Sequence, residues 1–342
     1  MRSLVPALLP GLMLLAACGA ATGPAPAKPS AAPATIRYGL SGTGGATTVL
    51  RLANDHNLWA QEGLKAEMTA FQGDPIAYAA LQAGELDFTA AGSEGGVTMA
   101  LKGANVRIIG VLQDHFEYHL LGGKDVRSAQ DLKGKTLAVS KLGSNSDFAT
   151  REALKRLGVD PSSVTVLQVG NSVSRAAALE SGAVQASIMS PDFVPGLLDK
   201  GFHDLADMSK MDIRYPFLCI GTTTTLLSSK PDLAQRFLRV VYRGIKLFRD
   251  DPEATQKILA GQTNETRKEV LQAGWENYRN VLATDLTPNP EIFGPLLKEI
   301  ADTDAAAKDA TPEIYIDDRP SRQLSATGFP QQLLGASSSA PK

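Results

Sequence analysis

The chain has 342 residues, 34 Lys plus Arg against 36 Asp plus Glu, a formal net charge of −2 and 43% hydrophobic residues. So even a balance, with no basic cluster, argues against a nucleic-acid partner. Of its two cysteines, Cys18 and Cys219, the first falls in a targeting segment, so no internal disulfide is expected.

In chain order, Arg2 precedes an apolar run, Leu4 to Leu15, that is shorter than the ~20 residues a bilayer span needs. It ends in Leu15-Ala16-Ala17-Cys18-Gly19, which resembles the bacterial lipobox. Residues 1–17 therefore read as a lipoprotein signal peptide with lipidation at Cys18. An ordinary secretory signal is the alternative, and Pro6 and Pro10 inside the run argue for it. Residues 18–35, nearly all Ala, Pro, Gly, Thr and Ser, cannot bury enough apolar surface to fold and read as a disordered spacer.

Strand and helix patterns then alternate, which predicts an α/β fold. Ile36 to Leu40 reads as a strand, Gly44 to Trp59 as a helix, and Leu64 to Phe71 as a second strand. Asp74-Pro75 starts a helix with Asp74 as N-cap, and Gly84 ends it in a left-handed cap. Leu86 to Ala91 is a third strand, Val97 to Lys102 a short helix, and Val106 to Leu121 a long extended run. A second set follows, with Ser172 capping its helix and Gly182 ending it. Ile213 to Thr222 is again extended. From Lys230-Pro231-Asp232 onward the pattern is helical, and the polar end from Ser321 reads as a fraying tail.

The second set is a copy of the first. Ala79-Ala80-Leu81-Gln82-Ala83-Gly84-Glu85-Leu86-Asp87-Phe88-Thr89 is matched by Ala177-Ala178-Leu179-Glu180-Ser181-Gly182-Ala183-Val184-Gln185-Ala186-Ser187, an offset of 177 − 79 = 98 residues. Solenoid repeats are shorter, roughly 20–50 residues, so this period implies two similar lobes and a cleft between them. We assign 36–119 and 221–320 to lobe one, 120–220 to lobe two and 321–342 to the tail. Two extended crossings between lobes make a hinge.

Several stretches also carry a family likeness: Leu58-Trp59-Ala60-Gln61-Glu62-Gly63-Leu64, Leu81 to Phe88, and Asp131-Leu132-Lys133-Gly134-Lys135. A further set is Lys230-Pro231-Asp232-Leu233 with Arg243-Gly244-Ile245-Lys246 and Asp251-Pro252-Glu253-Ala254. Over residues 35–300 the chain resembles the type II periplasmic solute-binding proteins of ABC importers, in the nitrate/sulfonate/taurine and thiamine-precursor branch called SsuA/THI5-like. The resemblance implies a two-lobed fold, each lobe a mixed sheet flanked by helices. It also implies capture of a small molecule without catalysis or cofactor, and delivery to a permease driven by a separate ATPase. The place implied is the bacterial cell envelope, with membrane contact through a lipid anchor only; a monomer is expected. The first turn, Ser41-Gly42-Thr43-Gly44-Gly45-Ala46, departs from the Pro or aromatic residue common in the family, so ligand identity does not carry over. A pyrimidine or thiamine-precursor binder, or an enzyme on the same fold, stays open.

In open α/β sheets ligands bind beyond the carboxyl ends of the strands, which nominates six turns. In lobe one they contribute Ser41, Thr43 and Gly44, then Gln72, then Ser93 and Glu94. In lobe two they contribute Gly143, Ser144, Asn145 and Ser146, then Asn171, then Ser190 and Asp192. The two Gly/Ser/Thr turns open helices whose free N–H groups attract anions, so an anionic organic ligand is expected. Glu94 and Asp192 would accept from a ligand N–H, or be solvated rim charges. Lys141 and Arg175 read as surface cations. His115, Glu117 and His119 share one face of an extended strand, a weak metal-like spacing that is read as no site; Phe116 and Tyr118 alternate with them and face the cleft instead. Gly134-Lys135-Thr136 lacks the first glycine of a P-loop, since position 129 is Ala, and precedes a strand. Cys219, in an apolar run, reads as a buried thiol.

Overall fold

The copied sequence folds into copied topology. The computed structural model describes residues 32–42, 45–211, 213–302 and 304–335; the expected signal peptide, Cys18, most of the expected spacer, Thr43 and Gly44 lie outside them. The first sheet has the order β2-β1-β3-β10-β4. Its strands are β1 (Ala34–Ser41), β2 (Leu64–Phe71), β3 (Phe88–Ala91), β4 (Val106–His115) and β10 (Arg214–Thr223). The second has the order β7-β6-β8-β5-β9, built from β5 (His119–Gly122), β6 (Thr136–Val139), β7 (Thr165–Gln168), β8 (Ala186–Met189) and β9 (His203–Asp207). In each sheet three strands run parallel in the order second-first-third, and the fourth and fifth are antiparallel. Both sheets are thus mixed and flanked by helices, the fold class the sequence predicts.

Parallel neighbours need long crossovers, and helices supply them. Around the first sheet these are α1 (Thr48–Asp55), α2 (Leu58–Gln61), α3 (Asp74–Gln82) and α4 (Ser93–Leu101). Around the second they are α5 (Asn145–Arg156), α6 (Ser172–Glu180) and α7 (Val194–Leu198). Helices α3 and α6 start 172 − 74 = 98 residues apart, and both are followed by a glycine at positive φ, Gly84 (+77°) and Gly182 (+75°), where a side chain would be strained. Then follow α8 (Thr224–Ser229), α9 (Pro231–Asp250), α10 (Pro252–Thr263), α11 (Lys268–Val281), α12 (Gly294–Ile300), α13 (Arg319–Ala326) and α14 (Phe329–Leu334). On α9, Phe237, Leu238, Val241, Ile245 and Phe248 are all buried. Phe237 stacks on Phe88 at 4.2 Å and packs against Trp59 at 5.3 Å, tying α9 to β3 and α2.

Four local expectations are corrected. The helix predicted over Gly44 to Trp59 is broken at Asn57, whose φ of 53° is left-handed, a conformation Asn tolerates. Asp74 is the first residue of α3 and caps nothing there; likewise Asn171, not Ser172, caps α6 by accepting from the Ser174 N–H. The end from Ser321 is helical through Leu334: Leu324 is buried and Phe329 packs edge-on to Tyr242 of α9 with the Arg243 guanidinium over its ring. Sparse apolar residues at helical spacing are enough to dock this polar stretch.

The chain passes from β4 to β5 through Phe116 to Tyr118, and from β9 back to β10 through residues 208–213. Phe116, Tyr215 and Phe148 of α5 form a ring cluster there, with centroids 4.3–5.6 Å apart. Polar groups join the sheets beside it. The Asp74 carboxylate accepts from the Gly92 N–H at 2.9 Å and, across the junction, from the Asn145 N–H at 3.2 Å. Gln72 Oε1 accepts from the Asn171 N–H at 3.1 Å. Arg151 of α5 donates to Asp147, to Glu299 of α12 and, at 3.4 Å, to Glu94 of α4. Glu94 is 5% exposed; burial raises its pKa from 4.5 to about 8 despite the nearby Arg151.

Two outcomes follow from this packing. A Cβ on Gly244 of α9 would sit 2.7 Å from the Val49 carbonyl of α1. Gly244→Ala should therefore destabilise by ~1–3 kcal/mol in denaturant unfolding, where an open helix would gain ~1 kcal/mol; equal or greater stability contradicts this packing. The folded state also holds a proton on Glu94 that the unfolded chain releases, so Glu94 makes stability fall as pH rises from about 5 to about 8. Glu94→Gln should remove at least about 1 kcal/mol of that fall, read as the difference in unfolding free energy between the two pH values. An unchanged pH profile would show that Glu94 is not buried in this way.

Candidate functional site

Where the carboxyl ends of the two parallel strand sets face each other, a cavity opens of about 60 Å³, the space available to the centre of a water molecule. One water needs roughly 10–15 Å³ on this measure, so the cavity suits a few waters or a small polar solute. Its wall is shared. The first sheet contributes Ser41, Gln72, Asp74, Gln113 and Phe217, the second Ser140, Asn145, Asn171 and Ser190, and the β4–β5 crossing Glu117 and Tyr118.

The cation of this wall is Arg175, 2% exposed, and not on the surface as expected. It lies on the buried stripe of α6 with Ser172, Ala176 and Leu179, at spacings of three and four that turn one helix face inward. Its fork is fixed from behind: Nε donates to the Ile188 carbonyl at 3.0 Å, Nη1 to the Gly170 carbonyl at 2.8 Å and Nη2 to Ser172 Oγ at 3.0 Å. Ser172 Oγ is in turn 3.0 Å from Ser190 Oγ. These use three of the five guanidinium N–H donors; the Tyr118 hydroxyl also adjoins the guanidinium, and Arg175 lines the cavity. Burial works against the charge of Arg175, while Tyr118 and Asp74 support it. A buried guanidinium held by backbone carbonyls is a preorganised anchor for an oxyanion. The sequence carried one signal of it: 175 − 98 = 77, and the first copy has Ala77 at this position, so a charge stands where the repeat calls for core.

Of the residues nominated from sequence, Ser41, Gln72, Asn145, Asn171 and Ser190 reach the cavity wall. Thr43 and Gly44 lie outside the described residues. The others face elsewhere. Ser144 and Ser146 form a hydroxyl triangle with Ser140 at 2.8–2.9 Å, and the Gly143 N–H is taken by Asp147 at 2.9 Å. The N-terminus of α5 carries the Asp74 carboxylate, so the anion expected from solution at that turn is replaced by an internal one. Asn145 itself donates through its side chain to the Phe217 carbonyl and faces the Tyr215 hydroxyl. Ser93 is fully buried beside Tyr215, and Glu94 is held by Arg151.

Asp192 lies in the Pro191–Phe193 turn beside Tyr278 of α11 and the Gly45 backbone. Burial raises its pKa from 3.8 to about 7, while Tyr278 and the Gly45 amide pull it back. Glu117, 4% exposed, is pushed well above the usual carboxylate range by burial and then by Asp192. His115 pairs with Asp114, and His119 with Asp204 at 2.7 Å, so the three residues of the metal-like spacing have separate surroundings. Tyr118 lines the cavity, whereas Phe116 belongs to the ring cluster. Cys219 is buried, and burial pushes its thiol up, which leaves it unreactive.

A family model described as NMT1/THI5 like matches residues 46–255. Among curated proteins the chain is 26% identical over 233 residues, 66% of its own length and 70% of the other's, to a Brucella abortus (strain 2308) protein named as a binding protein. Among solved structures it is similar to the alkanesulfonate-binding protein SsuA of Xanthomonas axonopodis pv. citri, solved with MOPS bound. That likeness has a TM-score of 0.66 and 20% identity and covers 86% of this chain and 98% of that one. It is also similar to the periplasmic nitrate-binding protein NrtA of Synechocystis PCC 6803, with a TM-score of 0.70 and 14% identity over 89% and 91% of the two chains. The structural likenesses show the fold, and the family match, spanning more than half the sequence, shows that the chain belongs to the NMT1/THI5-like family.

Proposed function

We propose that this protein is the solute-binding component of an ABC importer that closes two lobes on a small anionic organic molecule. The carrying observation is Arg175: a buried guanidinium, fixed in place by its neighbours, that lines a polar cavity whose wall is shared by two sheets. Sulfonate-, nitrate- or carboxylate-like groups match that fork, and the names of the alkanesulfonate- and nitrate-binding neighbours support the same chemistry.

In this reading residues 36–119 and 221–320 form one lobe and 120–220 the other, and the two crossing segments act as the hinge. The solute binds both walls and so selects the closed arrangement. Asp74 on Asn145, Gln72 on Asn171, Arg151 on Glu299 and Arg267 on Asp199 are closed-state contacts. The exposed Arg267–Asp199 pair is worth ~0–1 kcal/mol, weak enough for the solute to influence the balance. A permease with a separate ATPase subunit would recognise the closed form. Lipidation at Cys18 would hold the chain, as a monomer, at the bacterial envelope; no helix among the described residues is long and apolar enough to cross a membrane.

Thermal unfolding of the mature protein against sulfonates, carboxylates, nitrate and pyrimidines tests this. A true ligand at a hundredfold excess over Kd should add ~2.7 kcal/mol of stability. Arg175→Met should weaken that ligand by about thirtyfold to several thousandfold, since truncating one side of a buried charge pair costs ~2–5 kcal/mol, while circular dichroism reports a retained fold. No stabilisation by any anion, or full affinity in Arg175→Met, would refute the reading.

A further inference from the structure

Asp192 lies where elements around the two sheets meet. It belongs to the Pro191–Phe193 turn after β8, on the second sheet's side, and it is covered from the first. A Cβ on Gly274 of α11 would lie 3.8 Å from Asp192 Oδ1, and the Tyr278 hydroxyl of the same helix and the Gly45 amide adjoin the carboxylate. Both of its oxygens are closed off from solvent, yet Asp192 is no part of the cavity wall around Arg175. Beside it sits a second buried carboxyl, Glu117 of the β4–β5 crossing, 4% exposed. Gly45 packs these groups together: a Cβ there would lie 2.6 Å from the Tyr278 ring and 2.8 Å from Glu117 Oε1.

No free cation answers these carboxyls. Glu180, Lys200 and Glu265 line the groove over Asp192, but Lys200 pairs with Glu180 at 2.8 Å and Glu265 holds Arg267 at 2.6 Å. Glu117 has the neutral Gln113 side chain as its hydrogen-bond partner, and Tyr118 beside it carries no positive charge. Two neighbouring carboxyls shut away from water without a cation resist being ionised together.

We propose that Asp192 and Glu117 link closure of the lobes to proton uptake, so that the protein takes a proton from solvent as it closes on its solute and holds that solute more tightly as pH falls. This rests on the solute-binding reading above and names its regulation.

The sign follows from what closure covers. Opening withdraws α11 and Gly45 from Asp192 and returns it to water, where an aspartate has a pKa of about 3.9. In the closed arrangement burial raises its pKa from 3.8 to about 7, against the pull of Tyr278 and Gly45. Burial and then Asp192 push Glu117 well above the usual carboxylate range. The closed form therefore holds more protons than the open one. Closure escapes this cost below about pH 4, loses up to about tenfold per pH unit for each proton as pH rises, and becomes independent of Asp192 above about pH 7.

Isothermal titration calorimetry of the mature chain with nitrate, ethanesulfonate and lactate, all anions across the range, tests this at about pH 5 and about pH 7. An anion that binds should do so about tenfold or more tightly at the lower pH, and buffers of different ionisation enthalpy should show net proton uptake on binding between the two. Glu94 titrates at the same junction, so the deciding comparison is with Asp192→Asn, in which the ratio of the two affinities should shrink by about tenfold or more. Tyr278→Phe removes a group that favours the ionised Asp192, and it should move the fall in affinity to higher pH. An affinity that does not fall between the two pH values, or an equal fall in Asp192→Asn, overturns this inference and leaves the solute-binding reading standing. Should Asp192→Asn fail to fold, an unmoved fall in Tyr278→Phe does the same. No binding of any of the three anions at either pH overturns both.

Discussion

One carboxylate sets the arrangement on which the site depends. Asp74 opens α3 beside the first sheet, yet it is bound by the amide of Asn145, the first residue of α5 beside the second. A carboxylate at a helix N-terminus gains from the unpaired amides and from the dipole, by up to ~2 kcal/mol when partly buried. Here that local preference is satisfied across the junction between two sheets. Gln72 does the same for the amide at the cap of α6. The first sheet thus covers the N-termini of both helices that frame the second sheet's side of the cavity. What remains to meet an external anion is a side chain, Arg175, and its rigidity comes from carbonyls at the ends of β7 and β8.

The 98-residue repeat gives this arrangement its asymmetry. Both copies place a helix start and a strand end at the junction, but Asp74 answers to Ser172 and Ala77 to Arg175. The negative and positive groups of the cavity therefore occupy different repeat positions, one on each side. Duplication supplied the facing walls, and divergence at these positions supplied opposite charges.

Much of the architecture is legible in the chain. The alternation of strand and helix patterns, the paired glycines Gly84 and Gly182, and the two extended runs lead to two mixed sheets joined by β4–β5 and β9–β10. The site is less legible because its key partners are remote in sequence. Arg175 looked like a surface cation because a helix segment of Ser and Ala shows little hydrophobic contrast; only its burial against β8 reveals the acceptors that hold it. Asp74 looked like a cap because Asp-Pro opens many helices, and nothing local shows that the acceptor is aimed 71 residues ahead. Glu94 and Ser144 sit at the strand ends where ligands bind in such folds, but Arg151 and the serine triangle occupy them. The helical end from Arg319 to Leu334 was hidden by its polar composition, since Leu324 and Phe329 find their partners on α9.

The account turns on where the anionic group of the solute rests. A crystal structure of the protein with a bound sulfonate or carboxylate is the direct measurement. It should show an anionic oxygen within hydrogen-bond distance of the Arg175 guanidinium, inside the cavity walled by both sheets. Density for the solute in the open groove between α1 and α10, lined by Arg51, Asn54 and Lys257, with Arg175 untouched, would contradict it.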